Sequence, residues 1–221
     1  MNDNILLLGS GAREHAIAMA IDRSHTPSEL FCMASNLNPG ITSLCKELIV
    51  DDFNDPDIVV SYAKNHKIGF VIIGPENPLE RGIADALSNS NINVIGPKQN
   101  LAQIETSKGF ARKLLNKHGI PGAPKFKIFS SMSGVGDFLD ELGENYVVKF
   151  DGLAGGKGVK VSGDHLQSHT EALDYCLQLV KDGSKFVIEE KFIGQEFSLM
   201  SFSDGKTLKH MPTVQDHKRA F

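Results

Sequence analysis

The sequence predicts an α/β protein, with a doubly wound parallel sheet in its first half and an α+β half with an antiparallel sheet after it. Three observations predict this. Short apolar runs, several stopped by glycine or proline, alternate with helical stretches up to residue 97. A long amphipathic stretch, residues 101–118, follows and is closed by Gly119 and Pro121. From Lys125 onward, apolar runs recur around a glycine-rich connection.

Residues 5–8 (ILLL) form a continuous apolar run ending at Gly9, as suits a parallel strand buried on both faces. Residues 14–21 read as a helix, with Ala16, Ile17, Met19 and Ala20 on apolar faces. Residues 30–34 and 47–50 are further apolar runs, and 57–65 are helical in pattern. Residues 68–73 end in Gly74-Pro75, residues 81–88 read as a helix, and 92–95 end in Gly96-Pro97. In the second half, residues 126–129, 146–150, 159–162, 186–190 and 196–202 read as strands. Helical segments fall near 134–142 and 169–181, and the main boundary lies near residues 98–123.

Composition narrows the function class. The chain has 221 residues, is 41% hydrophobic and 23% charged, and carries a net charge of -4. Its acids and bases are interspersed, and the one dense basic cluster is His217-Lys218-Arg219. That pattern predicts neither a nucleic-acid groove nor a membrane-facing stripe. Cys32, Cys45 and Cys176 are widely spaced and form no C-x-x-C pair, which predicts a reduced, cytoplasmic setting.

Ligands of an open parallel sheet bind beyond the carboxyl ends of its strands. Three loops are expected there: Gly9-Ser10-Gly11-Ala12-Arg13-Glu14-His15, Gly74-Pro75-Glu76-Asn77-Pro78, and Gly96-Pro97. Backbone N–H groups at the helix start after Gly11 suit an anion. A dinucleotide site is disfavoured. Its fingerprint needs a third glycine where Glu14 stands, and an acid after the second strand where Ser35-Asn36-Leu37-Asn38 stand. A polar loop of Arg13, Glu14 and His15 suits a phosphorylated sugar bearing an amine. In the alternative, these glycines only shape turns and the charges are solvated.

Residues 147–161 (VVKFDGLAGGKGVKV) read as strand, glycine loop, strand. This is not a P-loop, which would need glycine at Asp151 and Ser or Thr at Gly158, and would lead into a helix. A hairpin with Gly152, Gly155, Gly156 and Gly158 is suited to fold over a polyphosphate, with Lys157 adding charge and Lys149 on the preceding strand. Four glycines in seven residues are entropically costly for a plain surface hairpin. Taken singly, Lys108 in its helix reads as solvated, and Glu189 and Glu190 read as exposed acids at a strand end.

Together these residues carry a resemblance. Ser107-Lys108-Gly109-Phe110, then Val147-Val148-Lys149 before the glycine loop, then Ile188-Glu189-Glu190 and Gly194-Gln195-Glu196 resemble the ATP-grasp fold. The segments at residues 9–15, 74–79, 151–159 and Gln215-Asp216-His217-Lys218-Arg219 are more specific. In this order they resemble the phosphoribosylamine–glycine ligase family over essentially the whole chain. The chain departs from that pattern at Phe150, Gly155, Lys191 and Phe192.

The resemblance implies ATP-dependent ligation of glycine to 5-phosphoribosylamine through a glycyl phosphate, giving glycinamide ribonucleotide, ADP and phosphate in purine biosynthesis. It implies ATP contacts from Lys108, Lys149, Gly155, Gly156, Lys157, Gly158, Glu189, Glu190, Lys191, Phe192 and Glu196. It implies substrate contacts from Gly9, Gly11, Arg13, Glu14, His15, Gly74, Pro75, Glu76, Asn77 and Asp216, with Asp216, Lys218 and Arg219 at the reacting groups. The small-molecule partners are glycine and 5-phosphoribosylamine, and the full-length enzyme is expected to be a monomer. The implied division is a pre-ATP-grasp domain (1–100), a connecting helix (101–122), an ATP-grasp lid subdomain (123–192) and the start of a second ATP-grasp subdomain (193–221). Mg²⁺ is implied, but its ligands are expected beyond Phe221, so no metal ligand is assigned. On that ground the 221 residues alone are expected to be an incomplete, inactive portion. A nucleotide-binding protein without turnover and another ATP-grasp enzyme, such as a carboxylase, are the competing readings.

Overall fold

The computed structural model describes residues 3–215. Strands β1 (Asp3–Leu8), β2 (Ser28–Ala34), β3 (Glu47–Val50), β4 (Phe70–Ile73) and β5 (Asn93–Ile95) form one sheet in the order β3-β2-β1-β4-β5. Every pairing in it is parallel. Helices α1 (Ala12–Asp22), α2 (Pro39–Thr42), α3 (Pro56–Asn65), α4 (Glu76–Glu80) and α5 (Ile83–Asn89) connect the strands.

Alternation along the buried strands divides the core in two. Leu6, Leu8, Phe31, Met33, Val71 and Ile73 pack with Val59 and Ala63 of α3 and with Ile83, Ala84 and Leu87 of α5. Leu7, Leu30, Cys32 and Ala34 pack with Ala18 of α1 and Ile41 of α2. Successive side chains point to opposite faces, so the continuous run Leu6-Leu7-Leu8 supplies both layers. Each fully buried leucine contributes about 1.5–3 kcal/mol. This is the doubly wound sheet the sequence predicts. The strand order reverses between β1 and β4, which makes the gap above their carboxyl ends the topological switch point.

Helices α6 (Gln99–Thr106) and α7 (Lys108–Lys117) lead to the second sheet, formed by β6 (Phe126–Phe129), β7 (Tyr146–Phe150), β8 (Val159–Val161) and β9 (Phe186–Glu190). Its order is β6-β9-β7-β8 and its pairings are antiparallel. Helices α8 (Val135–Leu142) and α9 (His169–Lys181) cover one face, where Tyr146, Val148, Phe186 and Ile188 pack with Phe138, Leu139, Ala172 and Cys176. Beyond it, β10 (Phe197–Ser198) pairs with β13 (Val214–Gln215), and β11 (Ser201–Ser203) with β12 (Leu208–His210). Phe197, Phe202, Leu208 and Val214 in these ladders are exposed. No helix among the described residues is long and apolar enough to cross a membrane.

Four expectations need correction. The stretch 101–118 is two helices, because Ser107 turns extended (φ -130°, ψ 112°) and its hydroxyl caps α7 at the Phe110 N–H (3.0 Å). The helix expected at 81–88 is interrupted at Gly82, whose left-handed backbone (φ 79°) separates α4 from α5. The loop expected through Pro78 ends at Pro75, and Glu76 opens α4. The strand expected at 196–202 is two short strands in different ladders. Helix α1 also begins two residues earlier than its apolar pattern, since Gly11 already serves as its N-cap.

Candidate functional site

The first constellation lies at the switch point. Gly9 follows β1 with φ 109°, and its N–H donates to Met33 O (2.9 Å). Gly74 follows β4, its N–H donating to Leu8 O (3.2 Å). Between them sits Glu14, only 5% exposed, whose Oε2 accepts the Gly11 N–H at 2.6 Å. A Cβ added to Gly9 would stand 3.0 Å from Glu14 Cγ, and one added to Gly11 would stand 2.8 Å from its Oε2. One added to Gly74 would overlap the Glu14 carboxylate outright. The three glycines therefore make room for one buried side chain.

Arg13, Glu14 and His15 do not form a single polar surface. Glu14 is internal, and the solvated alternative for it is wrong for a steric reason: the glycines open a slot that it fills. The His15 ring lies where a side chain on Gly40 would go. Arg13 is exposed and bonds Glu76 Oε1 at 2.8 Å. That bond and the charge of Glu76 raise the Arg13 pKa. Partial burial pushes Glu76 up, but the bond from Arg13, a backbone hydrogen bond and the charge of Arg13 together outweigh it and hold the carboxyl below its ordinary value. Asn77 is exposed and Pro75 is half-buried at the N-cap of α4. Asn36 and Asn38 escaped the sequence reading. Asn36 accepts from Ser10 Oγ (2.8 Å), while Asn38 donates to Ser10 O (2.8 Å) and caps α2. An Asn directly before Pro39 was the available signal.

The second constellation is built on β7, β9, α7 and the glycine loop. Asp151 Oδ1 accepts from Ser107 Oγ (3.0 Å) and from the Gly109 N–H (3.0 Å), so it joins the loop to the start of α7. Lys108 Nζ donates to Gly152 O at 2.6 Å. The loop contains two kinds of glycine. Gly152 and Gly158 abut Phe150, and added Cβ atoms would stand 2.5 Å from Cε1 and 3.0 Å from Cβ of that ring residue. Gly155 and Gly156 are left-handed (φ 53° and 79°), and a Cβ on either would meet nothing within 4 Å. Lys157, beside them, is exposed.

Glu189 is the centre of this group. It is 3% exposed. In the β7–β9 ladder it stands opposite Val147, which puts Lys149 diagonal to it on the same face. Lys149 pairs with Glu189 Oε1. Arg112, from α7, forks onto both oxygens, Nε to Oε2 at 2.6 Å and Nη2 to Oε1 at 3.0 Å. Burial pushes the Glu189 pKa up, yet the bonds from Arg112 and Lys149 outweigh burial and hold it below its ordinary value. Breaking such a buried pair costs about 3–5 kcal/mol. The expectation of an exposed acid is thus overturned for Glu189. It holds for Glu190, which is exposed and accepts the Lys125 N–H (3.2 Å). Arg112 is a further residue the sequence reading missed. It lies one helical turn after Lys108, on the same face of α7, and that spacing was the available signal.

Lys191 Nζ donates to Ser162 O at 2.8 Å. Phe192 is 60% exposed, and Glu196 is exposed beyond the sheet. Asp216, Lys218 and Arg219 lie outside the described residues.

The arrangement places Lys149 and Arg112 beside Glu189, near a loop whose tip glycines, Gly155 and Gly156, have open space where a side chain would stand. Such a surface can hold phosphate groups. Residues 3–105 match the family described as phosphoribosylglycinamide synthetase, N domain, and residues 106–221 match its ATP-grasp (A) domain. A phosphoribosylamine–glycine ligase of Methanococcoides burtonii is 45% identical over 218 residues, covering 99% of this chain and 50% of its own. The chain spans about half the length of the curated relatives it matches. A phosphoribosylamine–glycine ligase structure from Thermotoga maritima superposes with a TM-score of 0.75 at 24% identity, over 98% of this chain and 51% of its own. An ADP complex of N5-carboxyaminoimidazole synthetase from Staphylococcus aureus does so with a TM-score of 0.72 at 14% identity, over 100% and 56%. The last two similarities establish the fold as that of ATP-grasp proteins, and the family matches establish that this chain belongs to the phosphoribosylglycinamide synthetase family.

Proposed function

We propose that this chain supplies the phosphate-binding side of an ATP site and part of a phosphoribosylamine site, in a ligase that joins glycine to 5-phosphoribosylamine. The products are glycinamide ribonucleotide, ADP and phosphate, within purine biosynthesis. The observation that carries the reading is Lys149 on the strand leading into a loop tipped by two left-handed glycines, with Lys108 on the loop carbonyl of Gly152.

The residues fit a nucleotide. Lys108, Lys149 and Lys157 supply charge for phosphates, and the N–H groups of Gly155, Gly156 and Gly158 supply directed donors. The backbone from Glu190 through Lys191 to Phe192 lies at the end of β9, where an adenine edge is satisfied by main-chain groups, and Glu196 serves the ribose hydroxyls. ATP supplies the phosphoryl group that activates a carboxylate; this chain's part is to hold and neutralise the phosphates. The ADP complex of the fold neighbour is consistent with this.

At the switch point, Gly9, Gly11, Gly74 and Pro75 set the backbone. Glu14 braces it, and the Arg13–Glu76 pair together with His15 and Asn77 faces the phosphoribosylamine. Asp216, Lys218 and Arg219 act at the reacting groups. We assign Mg²⁺ no ligands within this chain. The domain division at 1–100, 101–122, 123–192 and 193–221, a monomeric full-length enzyme and a cytoplasmic location belong to the same proposal.

The test is phosphate release by a protein of the relatives' full length carrying this chain as its first half. Release that requires ATP, glycine and 5-phosphoribosylamine together is expected. Release with bicarbonate in place of glycine would contradict the reading in favour of a carboxylase.

A further inference from the structure

The lysine assigned to the nucleotide is not waiting in solvent. Lys149 has 21% of its side chain exposed and is paired with Glu189, whose own side chain is 4% exposed. A lysine so placed shares its charge with that carboxylate, and turning it toward a phosphate loosens the pair. If Lys149 were the sole counter-ion, its departure would strand a buried negative charge, and that cost would be subtracted from phosphate binding.

Arg112 changes this balance. It holds Glu189 by a two-point fork at 2.6 and 3.0 Å, reaching across from α7 over 77 residues of sequence. The cluster contains two cations and one anion, a net charge of one positive. With Arg112 in place, Glu189 keeps a full counter-ion when Lys149 moves, and the surplus positive charge stays on the mobile partner. The fork is the more rigid of the two contacts, because a guanidinium bonded to both carboxylate oxygens is fixed in plane, whereas a lysine ammonium is a point charge on a flexible stem.

We propose that Arg112 is a positioning residue of the nucleotide site: by neutralising Glu189 through its fork, it makes Lys149 transferable from that carboxylate to a phosphate of the nucleotide. The inference rests on the reading of this face as the ATP site. It differs from a role as a rivet between α7 and the sheet in one consequence. A rivet fails when either partner is removed. A charge-release device fails when Arg112 is removed and recovers when Glu189 loses its charge as well.

The experiment is a calorimetric titration of ATP into a protein of the relatives' full length carrying this chain as its first half, and into its variants, at fixed salt, with folding checked by circular dichroism. Arg112→Gln leaves Lys149 and Glu189 as a closed neutral pair and is expected to weaken ATP about ten-fold or more. The double variant Arg112→Gln/Glu189→Gln restores the surplus charge and is expected to return to within about three-fold of the parent. Should Arg112→Gln not fold, Arg112→Lys keeps the charge without the fork, and a folded Arg112→Lys chain is expected to bind ATP more weakly than the parent. Parent-like ATP affinity in Arg112→Gln, or in Arg112→Lys where only that variant folds, overturns the proposal. So does a double variant as weak as the single one. If the parent and Lys149→Met bind ATP equally, or neither binds, the ATP reading itself fails and takes this inference with it.

Discussion

The switch-point loops and the β7–β8 loop are both rich in glycine, and the glycines are there for opposite reasons. At the switch point, Gly9, Gly11 and Gly74 surround the buried Glu14, and a side chain on any of them would press on it. At the loop tip, Gly155 and Gly156 border nothing within 4 Å, and only their left-handed backbone calls for glycine. The first set is an internal packing requirement. The second leaves open space beside the loop tip for something outside the chain. A glycine motif is therefore evidence for a ligand only when the space beside it is not already filled by the protein.

The largest expected effect tests the filled set. Gly74→Ala places a Cβ on the Glu14 carboxylate and should destabilise the fold by about 1–3 kcal/mol, as overpacking does. Urea unfolding measures this. Adding Glu14→Ala should recover part of the loss, because it removes the atoms being struck. No recovery would show that the glycine is needed for another reason.

The open set should respond more mildly. Gly156→Ala meets no atom and bears only the left-handed penalty, about 1–2 kcal/mol. Its stability should not improve on removing any neighbouring side chain. A loss as large as that of Gly74→Ala would break the comparison.

A pH experiment separates the buried carboxylate of the second region. The folded-state pKa of Glu189 is depressed below 4.5, so its stabilisation is complete above the unfolded value and is lost as pH falls through the lower folded value. The parent chain should therefore lose stability between neutral pH and the acid side of 4.5 more steeply than Glu189→Gln. Parallel pH profiles would mean that Glu189 contributes no such linkage.

The smallest effect is expected at the exposed Arg13–Glu76 pair. With 67% of the Arg13 side chain exposed, Arg13→Ala should change stability by less than about 1 kcal/mol, and less still at high salt. A larger loss would mean that this pair, like Glu14, holds the loops together.

Much of the architecture was legible in the sequence because it is written locally. The runs at residues 126–129, 146–150 and 186–190 coincide with β6, β7 and β9, since an apolar run and its turn signals both lie within a few residues. The break at Ser107 was not legible. Its hydroxyl answers to Asp151, 44 residues away, and nothing around it in sequence interrupts a helical pattern. The burial of Glu189 was hidden for the same reason, because its main partner, Arg112, is 77 residues away. Gly74 was singled out for a loop facing a ligand, and the structure adds that a side chain there would meet Glu14. That its neighbour is Glu14 follows only from β1 and β4 being adjacent in the sheet.

The central claim is that the open glycine loop and Lys149 form one phosphate site. Amide NMR of a protein of the relatives' full length carrying this chain as its first half, followed during an ATP titration, tests it most directly. The account predicts saturable shifts at the N–H groups of Gly155, Gly156 and Gly158, weakened about ten-fold or more in Lys149→Ala. Unmoved loop amides at ATP concentrations that shift residues elsewhere, or loop shifts with the same affinity in Lys149→Ala, would contradict it.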